Sequence, residues 1–230
     1  MIQKQPKLAA GPLLAARAYE AQKKWSEAEA AAVDAVRLDP NQPLALGVLV
    51  HAFVARKDEP GIGGKIETFL AAFPNELFAV RIAAESFVAL KDYPRARDVY
   101  EKFIAANPNF PLVLNNLAAL YGDQLKQPER ALELARKARA LAPNDPSVAD
   151  TLGWILIQRK EFAEALPLVE ESAKTLSTNG EVQYHVGVAN RALGKKEPAI
   201  AAFRLAVAAP EEFAGKADAK RLLAELEAAK

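Results

Sequence analysis

Cysteine is absent from this chain of 230 residues, which excludes disulfide bonds, thiolate metal ligands and a cysteine nucleophile. Glycine and aromatic residues are sparse, with eleven glycines and 7% aromatics, whereas 51% of the residues are hydrophobic. This balance favours interlocking helices over sheets. No run of about 18 apolar residues occurs, so we expect no direct insertion into a membrane. The formal net charge of +1 predicts that neither nucleic acid nor an anionic membrane is the main partner.

Residues that perform catalysis or hold metals are also scarce. The only two histidines, His51 and His185, have no ligand set beside them in the sequence, so each is interpreted as a surface or packing residue. The segment 61–65 contains three glycines and a lysine, but a phosphate-binding loop would need glycine at Glu59 and serine or threonine at Ile66. We therefore predict no catalytic residue, no metal site and no cofactor, and a protein that is not an enzyme.

Proline recurs at a nearly constant spacing. Pro40, Pro74 and Pro108 are 34 residues apart, and Pro143 follows after 35 residues. A period of about 34 residues is typical of a helical solenoid, in which each repeat buries its apolar face against its neighbours. Alignment on these prolines divides the chain into an N-terminal extension, 1–8, six repeats, 9–42, 43–76, 77–110, 111–145, 146–179 and 180–213, and a final amphipathic segment, 214–230.

Small residues recur at two positions of the repeat, where they allow helices to approach closely. They are Ala16, Ala84, Ala118, Gly153 and Gly187 at the first position, and Ala28, Ala96, Ala131, Ala165 and Ala199 at the second. The second repeat departs from this pattern, because Ile62 stands at the alanine site and glycines flank it. Glycine costs roughly 1 kcal/mol per helical position relative to alanine, so we expect the second helix of this repeat to be short, frayed or bent.

This pattern resembles the tetratricopeptide repeat over residues 9–213. The fourth repeat carries the diagnostic residues Leu114, Leu117, Ala118, Tyr121, Ala131, Ala135, Ala138 and Pro143. The resemblance implies an all-α, right-handed superhelical solenoid with two helices per repeat, and segment 214–230 is predicted to be its C-terminal capping helix. It also implies a non-catalytic scaffold that binds a protein or peptide segment in its concave groove.

By the geometry of the family, the resemblance also indicates which residues face that groove. The predicted partner-binding residues are Arg17, His51, Phe78, Arg81, Glu85, Asn115, Asp150, Trp154, Gln158, Tyr184 and Arg191. Chaperone-binding members hold a terminal carboxylate with lysines and asparagines; this chain has Asn115 and Asn116 but no matching lysines, so that mode is not predicted. Trp154 and Tyr184 form the expected aromatic anchor. The alternative is that Trp154 packs between repeats and meets no ligand.

Two stretches, 115–121 and 150–156, are similar to tetratricopeptide proteins of the bacterial cell envelope. These include lipoproteins that accompany exopolysaccharide export and PEP-CTERM protein sorting. The similarity implies an envelope or periplasmic assembly, and without it the expected location is the cytoplasm. The N-terminus also has features of a weak signal peptide, but Gly11 and Pro12 interrupt it. Self-association into an oligomeric scaffold is the alternative function.

Overall fold

The computed structural model describes residues 6–40, 42–57, 59–73 and 76–228, and these residues form thirteen α-helices and no strand. The expectation of an all-α repeat solenoid is confirmed. Pro74, one of the four periodic prolines, lies outside the described residues. The chain forms two compact units, an N-terminal unit of residues 1–106 and a C-terminal unit of residues 107–230.

Each predicted repeat contributes a pair of helices, which we call its first and second helix. The N-terminal unit contains α1 (Pro6–Ala21), α2 (Trp25–Leu38), α3 (Pro43–Ala55), α4 (Ile62–Ala72), α5 (Leu77–Ala89) and α6 (Tyr93–Ala106). The C-terminal unit contains α7 (Pro111–Asp123), α8 (Pro128–Leu141), α9 (Pro146–Gln158), α10 (Phe162–Thr175), α11 (Gly180–Ala192), α12 (Lys196–Ala208) and α13 (Lys216–Ala228). Because α1 begins at Pro6, residues 6–8 of the predicted N-terminal extension are helical.

Local sequence explains where several of these helices begin. Proline occupies the start of α7, α8 and α9, where its missing N–H costs no intrahelical hydrogen bond. Asp145 caps α9 by accepting hydrogen bonds from the backbone N–H groups of Ser147 and Val148. Asn179 caps α11 in the same way. Such caps satisfy N–H groups that have no partner within the helix.

In the C-terminal unit the first helices α7, α9, α11 and α13 form one layer, each packed against the next. The second helices α8, α10 and α12 form the other layer. The small residues predicted to allow close approach are buried between them. A Cβ atom added to Gly153 would lie 2.6 Å from Cγ1 of Val169, and one added to Gly187 would lie 2.5 Å from the ring of Phe203. Only glycine fits at these two contacts.

The second repeat is built differently, as its sequence predicts. Helix α4 has 11 residues and is the shortest of the described helices. Its backbone packs against α5 but hardly approaches α3, its partner in the repeat. Val50 and Ile62 occupy the two positions where the other repeats carry alanine or glycine, so the two backbones cannot come close. The rings of Phe53 and Phe69 instead fill the wider gap, with centroids 5.9 Å apart.

The turn between the two helices of a repeat usually contains a lysine with a left-handed backbone. Lys23, Lys91, Lys126 and Lys160 have φ angles of 58°, 60°, 55° and 65°, whereas Gly194 takes this conformation in the sixth repeat. A left-handed conformation costs an L-residue roughly 1–2 kcal/mol, and glycine avoids that cost at some loss of chain entropy.

We therefore expect Lys160→Gly to stabilise the C-terminal unit by about 0.5–1 kcal/mol. Urea unfolding followed by the fluorescence of Trp154 measures this change. Lys137→Gly is the matched control, since Lys137 is exposed within α8 and glycine there costs about 1 kcal/mol. A destabilised Lys160→Gly variant would show that the lysine side chain contributes more than its backbone conformation costs.

Candidate functional site

The groove residues predicted in the N-terminal unit do not form one cluster. Arg17 is exposed on α1, and exposed His51 on α3 places its Nδ1 2.7 Å from a carboxylate oxygen of Glu20. Arg81 and Glu85 pair along α5 at 3.4 Å. The prediction for Phe78 is corrected, because this residue is buried.

Phe78 belongs to an aromatic cluster at the α4–α5 junction. Its ring centroid lies 5.1 Å from that of Phe73 and 6.5 Å from that of Phe69. The cause is the weak packing of α4: the backbone of this helix does not approach α3, so large rings from α5 and from the end of α4 fill the space. Phe78 therefore contributes to the core.

The N-terminal unit also contains a cleft of about 470 Å³ between α2 and α4, lined by side chains that include Val33, Phe69 and Arg56. Arg56 donates to Glu29 and to Glu59, at 2.5 Å each. Hydrogen bonds from Arg56 and Lys65 lower the pKa of Glu59 to about 2. Arg56 and Lys65 thus pair with the two carboxylates, Glu29 and Glu59, at this cleft.

The C-terminal unit brings four of its predicted groove residues together: Trp154 and, around it, Asp150, Gln158 and Tyr184. The indole Nε1–H of Trp154 donates to Oδ1 of Asp123 at 3.0 Å, and Nε2 of Gln158 donates to the same oxygen at 2.6 Å. Trp154 stacks on the imidazole of His185, with centroids 4.2 Å apart and an interplanar angle of 16°. The indole therefore packs between repeats and stays partly exposed.

His185 is buried and links two helices. Its Nδ1 lies 2.9 Å from Oδ1 of Asp150, and because a carboxylate can only accept, this nitrogen donates. Glu181 begins the same helix, α11, one turn before His185. Partial burial raises the pKa of Glu181, the charges of Asp150 and Asp123 raise it further, and His185 opposes the shift. We call Asp123, Asp150, Trp154, Gln158, Glu181 and His185 the Trp154 cluster.

Tyr184 and Arg191 reach from α11 to the last helix instead. The hydroxyl of Tyr184 donates to Oδ2 of Asp218 at 2.9 Å, and burial together with this carboxylate raises the pKa of Tyr184 above its usual range. Arg191 pairs with Glu225 at 3.3 Å. The ring of Tyr184 remains within 5.8 Å of Trp154, centroid to centroid. Tyr184 thus lies at one edge of the cluster.

Asn115 lies on the face of α7 that also carries Asp123, two turns earlier. Its side chain is 7% exposed, and its Oδ1 has no hydrogen-bond donor. An amide oxygen buried without a donor costs about 1–3 kcal/mol. Asn115 is therefore the one predicted groove residue of this unit whose polar atom is left without a partner.

Sequence reasoning selected the exposed half of this site and missed its internal partners. Asp218 was not among the predicted site residues, and His185 was interpreted as a surface or packing residue. The periodicity contains the missing information, since Asp218 follows Tyr184 by 34 residues and His185 follows Asp150 by 35. Contacts between successive first helices fall at this spacing.

The Trp154 cluster has the groups to bind a chain segment: a partly exposed indole, carboxylates and an amide. Among the described residues no three histidine, cysteine or acidic side chains are arranged to hold a metal ion. No described helix has both the length and the apolar character needed to cross a bilayer.

Comparison with known proteins agrees with this architecture. Family models described as tetratricopeptide repeat match residues 81–109 and 99–133. No protein of curated function matches the sequence significantly.

Solved structures share the fold at low sequence identity. PilF of Pseudomonas aeruginosa is 18% identical, with 97% of this chain and 98% of that chain aligned at a TM-score of 0.63. The Cut9 chains of an APC/C Cut9–Hcn1 hetero-tetramer are 16% identical, with 95% of this chain and 42% of that chain aligned at a TM-score of 0.67. MamA is 20% identical, with 62% of this chain and 81% of that chain aligned at a TM-score of 0.52.

The repeat period, the paired helices and the matches at 81–133 lead to one assignment. The chain contains tetratricopeptide repeats, and such repeats serve as scaffolds for interactions between proteins.

Proposed function

We propose that the C-terminal unit binds a segment of a partner protein along the layer formed by α7, α9 and α11, with Trp154 as the anchor. This proposal rests on the contacts and exposure of Trp154. Its indole is held by a hydrogen bond to Asp123 and by stacking on His185, yet it remains partly exposed. A fixed, partly exposed aromatic ring loses little entropy when a ligand covers it. Tyr184 and Gln158 extend the contact surface to either side.

We further propose a bacterial envelope or export assembly as the setting. Its support is the similarity of stretches 115–121 and 150–156 to envelope tetratricopeptide proteins. Both stretches lie on helices of the proposed binding layer, α7 and α9. Fractionation of the source cells, followed by immunodetection of the chain, tests this setting; recovery in the cytoplasmic fraction alone would contradict it.

Trp154→Ala is expected to weaken binding of the captured partner about thirtyfold, since a desolvated aromatic anchor contributes about 2 kcal/mol or more. The partner is first captured from a lysate of the source organism, and its affinity is then measured by titration with the purified chain. Trp154→Phe keeps a ring against His185 but lacks the N–H that donates to Asp123, so we expect an intermediate affinity.

Trp25→Ala is the matched control, because it removes the other tryptophan, at the start of α2 in the N-terminal unit. It should leave affinity unchanged. Melting temperatures separate contact from packing: a large fall for Trp154→Ala would assign the ring to packing alone. If the variant binds the partner as the native chain does, and light scattering of the pure chain shows a mass that rises with concentration, self-association replaces the proposal.

A further inference from the structure

The carboxylates of the Trp154 cluster have no lysine or arginine beside them, and His185 is the basic side chain within the cluster. Asp123 accepts from the indole of Trp154 and the amide of Gln158, and Asp150 accepts from the imidazole of His185. In the described part of the chain, the carboxylate of Glu181 accepts no hydrogen bond and forms no ion pair. Three acidic groups thus lie together with no lysine or arginine bound to any of them.

The neighbouring carboxylates behave differently. Asp218 and Glu225 both pair with Arg221, and Glu161 pairs with Arg159. Burial is the first cause of the raised pKa of Glu181; His185 opposes the shift, and the charges of Asp150 and Asp123 add to it.

An independent observation comes from Asn115, whose buried Oδ1 lacks a donor. Asn115 and Asp150 occupy the same position in successive repeats. The same relation brings Tyr184 within 2.9 Å of Asp218 and Arg191 within 3.3 Å of Glu225. From this spacing we infer that Asn115 lies next to Asp150, at the edge of the acidic group, and its buried Oδ1 has no donor.

We propose that the Trp154 cluster binds lysine or arginine side chains of the partner segment, a specificity that rests on the proposed function. An ammonium or guanidinium group supplies N–H donors to Asp150 and Glu181 together with the positive charge of a lysine or arginine. The indole of Trp154 adds a cation–π contact to the same group. Acidic segments are repelled, so the cluster selects its partner by charge as well as by shape.

The test uses three short peptides of alternating sequence, each acetylated, amidated and labelled with fluorescein. One alternates alanine with arginine, the second replaces arginine by glutamine, and the third replaces it by glutamate. Fluorescence anisotropy with the full chain at low salt should show the arginine peptide binding at least about tenfold more tightly than the glutamine peptide, with no binding of the glutamate peptide.

Glu181→Gln should weaken binding of the arginine peptide about fivefold and leave the glutamine peptide unaffected. The pKa of Glu181 is higher in the folded chain than in the unfolded chain. Its contribution to the stability of the fold is therefore fully present below the unfolded pKa and is lost as the pH rises through the folded pKa. The variant should therefore melt no lower than the native chain at pH 7. Glu170→Gln is the matched control: Glu170 is exposed on α10, in the other layer, and its loss should change nothing.

Failure of the arginine peptide to bind, or equal affinity for the arginine and glutamine peptides, would overturn the charge specificity. An equal loss of affinity in Glu181→Gln and Glu170→Gln would do the same. If Trp154→Ala still abolishes partner binding in any of these cases, the binding surface stands and only its preference for basic side chains is wrong.

Discussion

Replacing Gly187 with leucine is expected to destabilise the C-terminal unit by about 3 kcal/mol or more. Even a single added Cβ atom would lie 2.5 Å from the ring of Phe203, which is fully buried. Overpacking commonly costs 1–3 kcal/mol, and a clash between an added side chain and an enclosed ring lies at the upper end. Helices α11 and α12 would have to separate, and α13, which packs on both, would move with them.

Urea unfolding in a Trp25→Phe background measures this change, since Trp154 then becomes the only tryptophan and reports on the C-terminal unit. Ala163→Leu is the control. Ala163 is exposed on α10 in the same unit, so that variant should stay within about 0.5 kcal/mol of the native chain. If Gly187→Leu is as stable as the native chain, the close contact of α11 with α12 is refuted.

The fold could be predicted because the repeat period and the small-residue positions reflect backbone packing. Gly153 and Gly187 allow contacts that even alanine would disturb. Such positions can be recognised in a sequence because glycine or alanine recurs there at the repeat period. The same reasoning identified the second repeat as irregular, since Ile62 stands where close packing needs a small residue. It did not predict what fills the resulting space, because the placement of Phe69 and Phe78 depends on packing in three dimensions.

The proposed binding surface was harder to predict from the sequence. Periodicity indicated that Trp154 and Asp150 face the same side of α9, but it gave no account of charge balance. The formal charge of +1 is a sum over 30 basic and 29 acidic residues. It conceals a local excess of carboxylates, since most arginines of the C-terminal unit are engaged elsewhere, as with Arg159 and Arg221. Only the pairing of side chains shows that Glu181 forms no ion pair with a lysine or arginine of the described residues.

Deletion of residues 214–230 is expected to lower the melting temperature of the C-terminal unit by more than about 10 °C and to cause aggregation. Helix α13 buries Ala219 and Leu222 against Phe203 and Ala206. Its loss would expose this apolar surface to water, as removal of a terminal cap does in solenoids.

Polar contacts also fix α13 in place. The buried ammonium group of Lys216 donates to the backbone carbonyls of Ala209 and Glu211, which follow the end of α12. Gly215 leaves room for the ring of Tyr184, since a Cβ there would lie 2.5 Å from it. Truncation removes all of these contacts together with the hydrogen bond from Tyr184 to Asp218. Because Tyr184 packs beside Trp154, we expect partner binding to weaken as well.

Point variants separate the loss of packing from the loss of chain length. Leu222→Ala should cost about 2–5 kcal/mol, because it removes a buried leucine side chain from the α12–α13 contact. Lys220→Ala, at an exposed position on the same helix, should stay within about 0.5 kcal/mol of the native chain. Calorimetry gives the stability of each variant, and light scattering over a concentration series gives its mass. A truncated chain that remains monomeric and melts as the native chain does would show that α13 is not a cap and that α11 and α12 are stable without it.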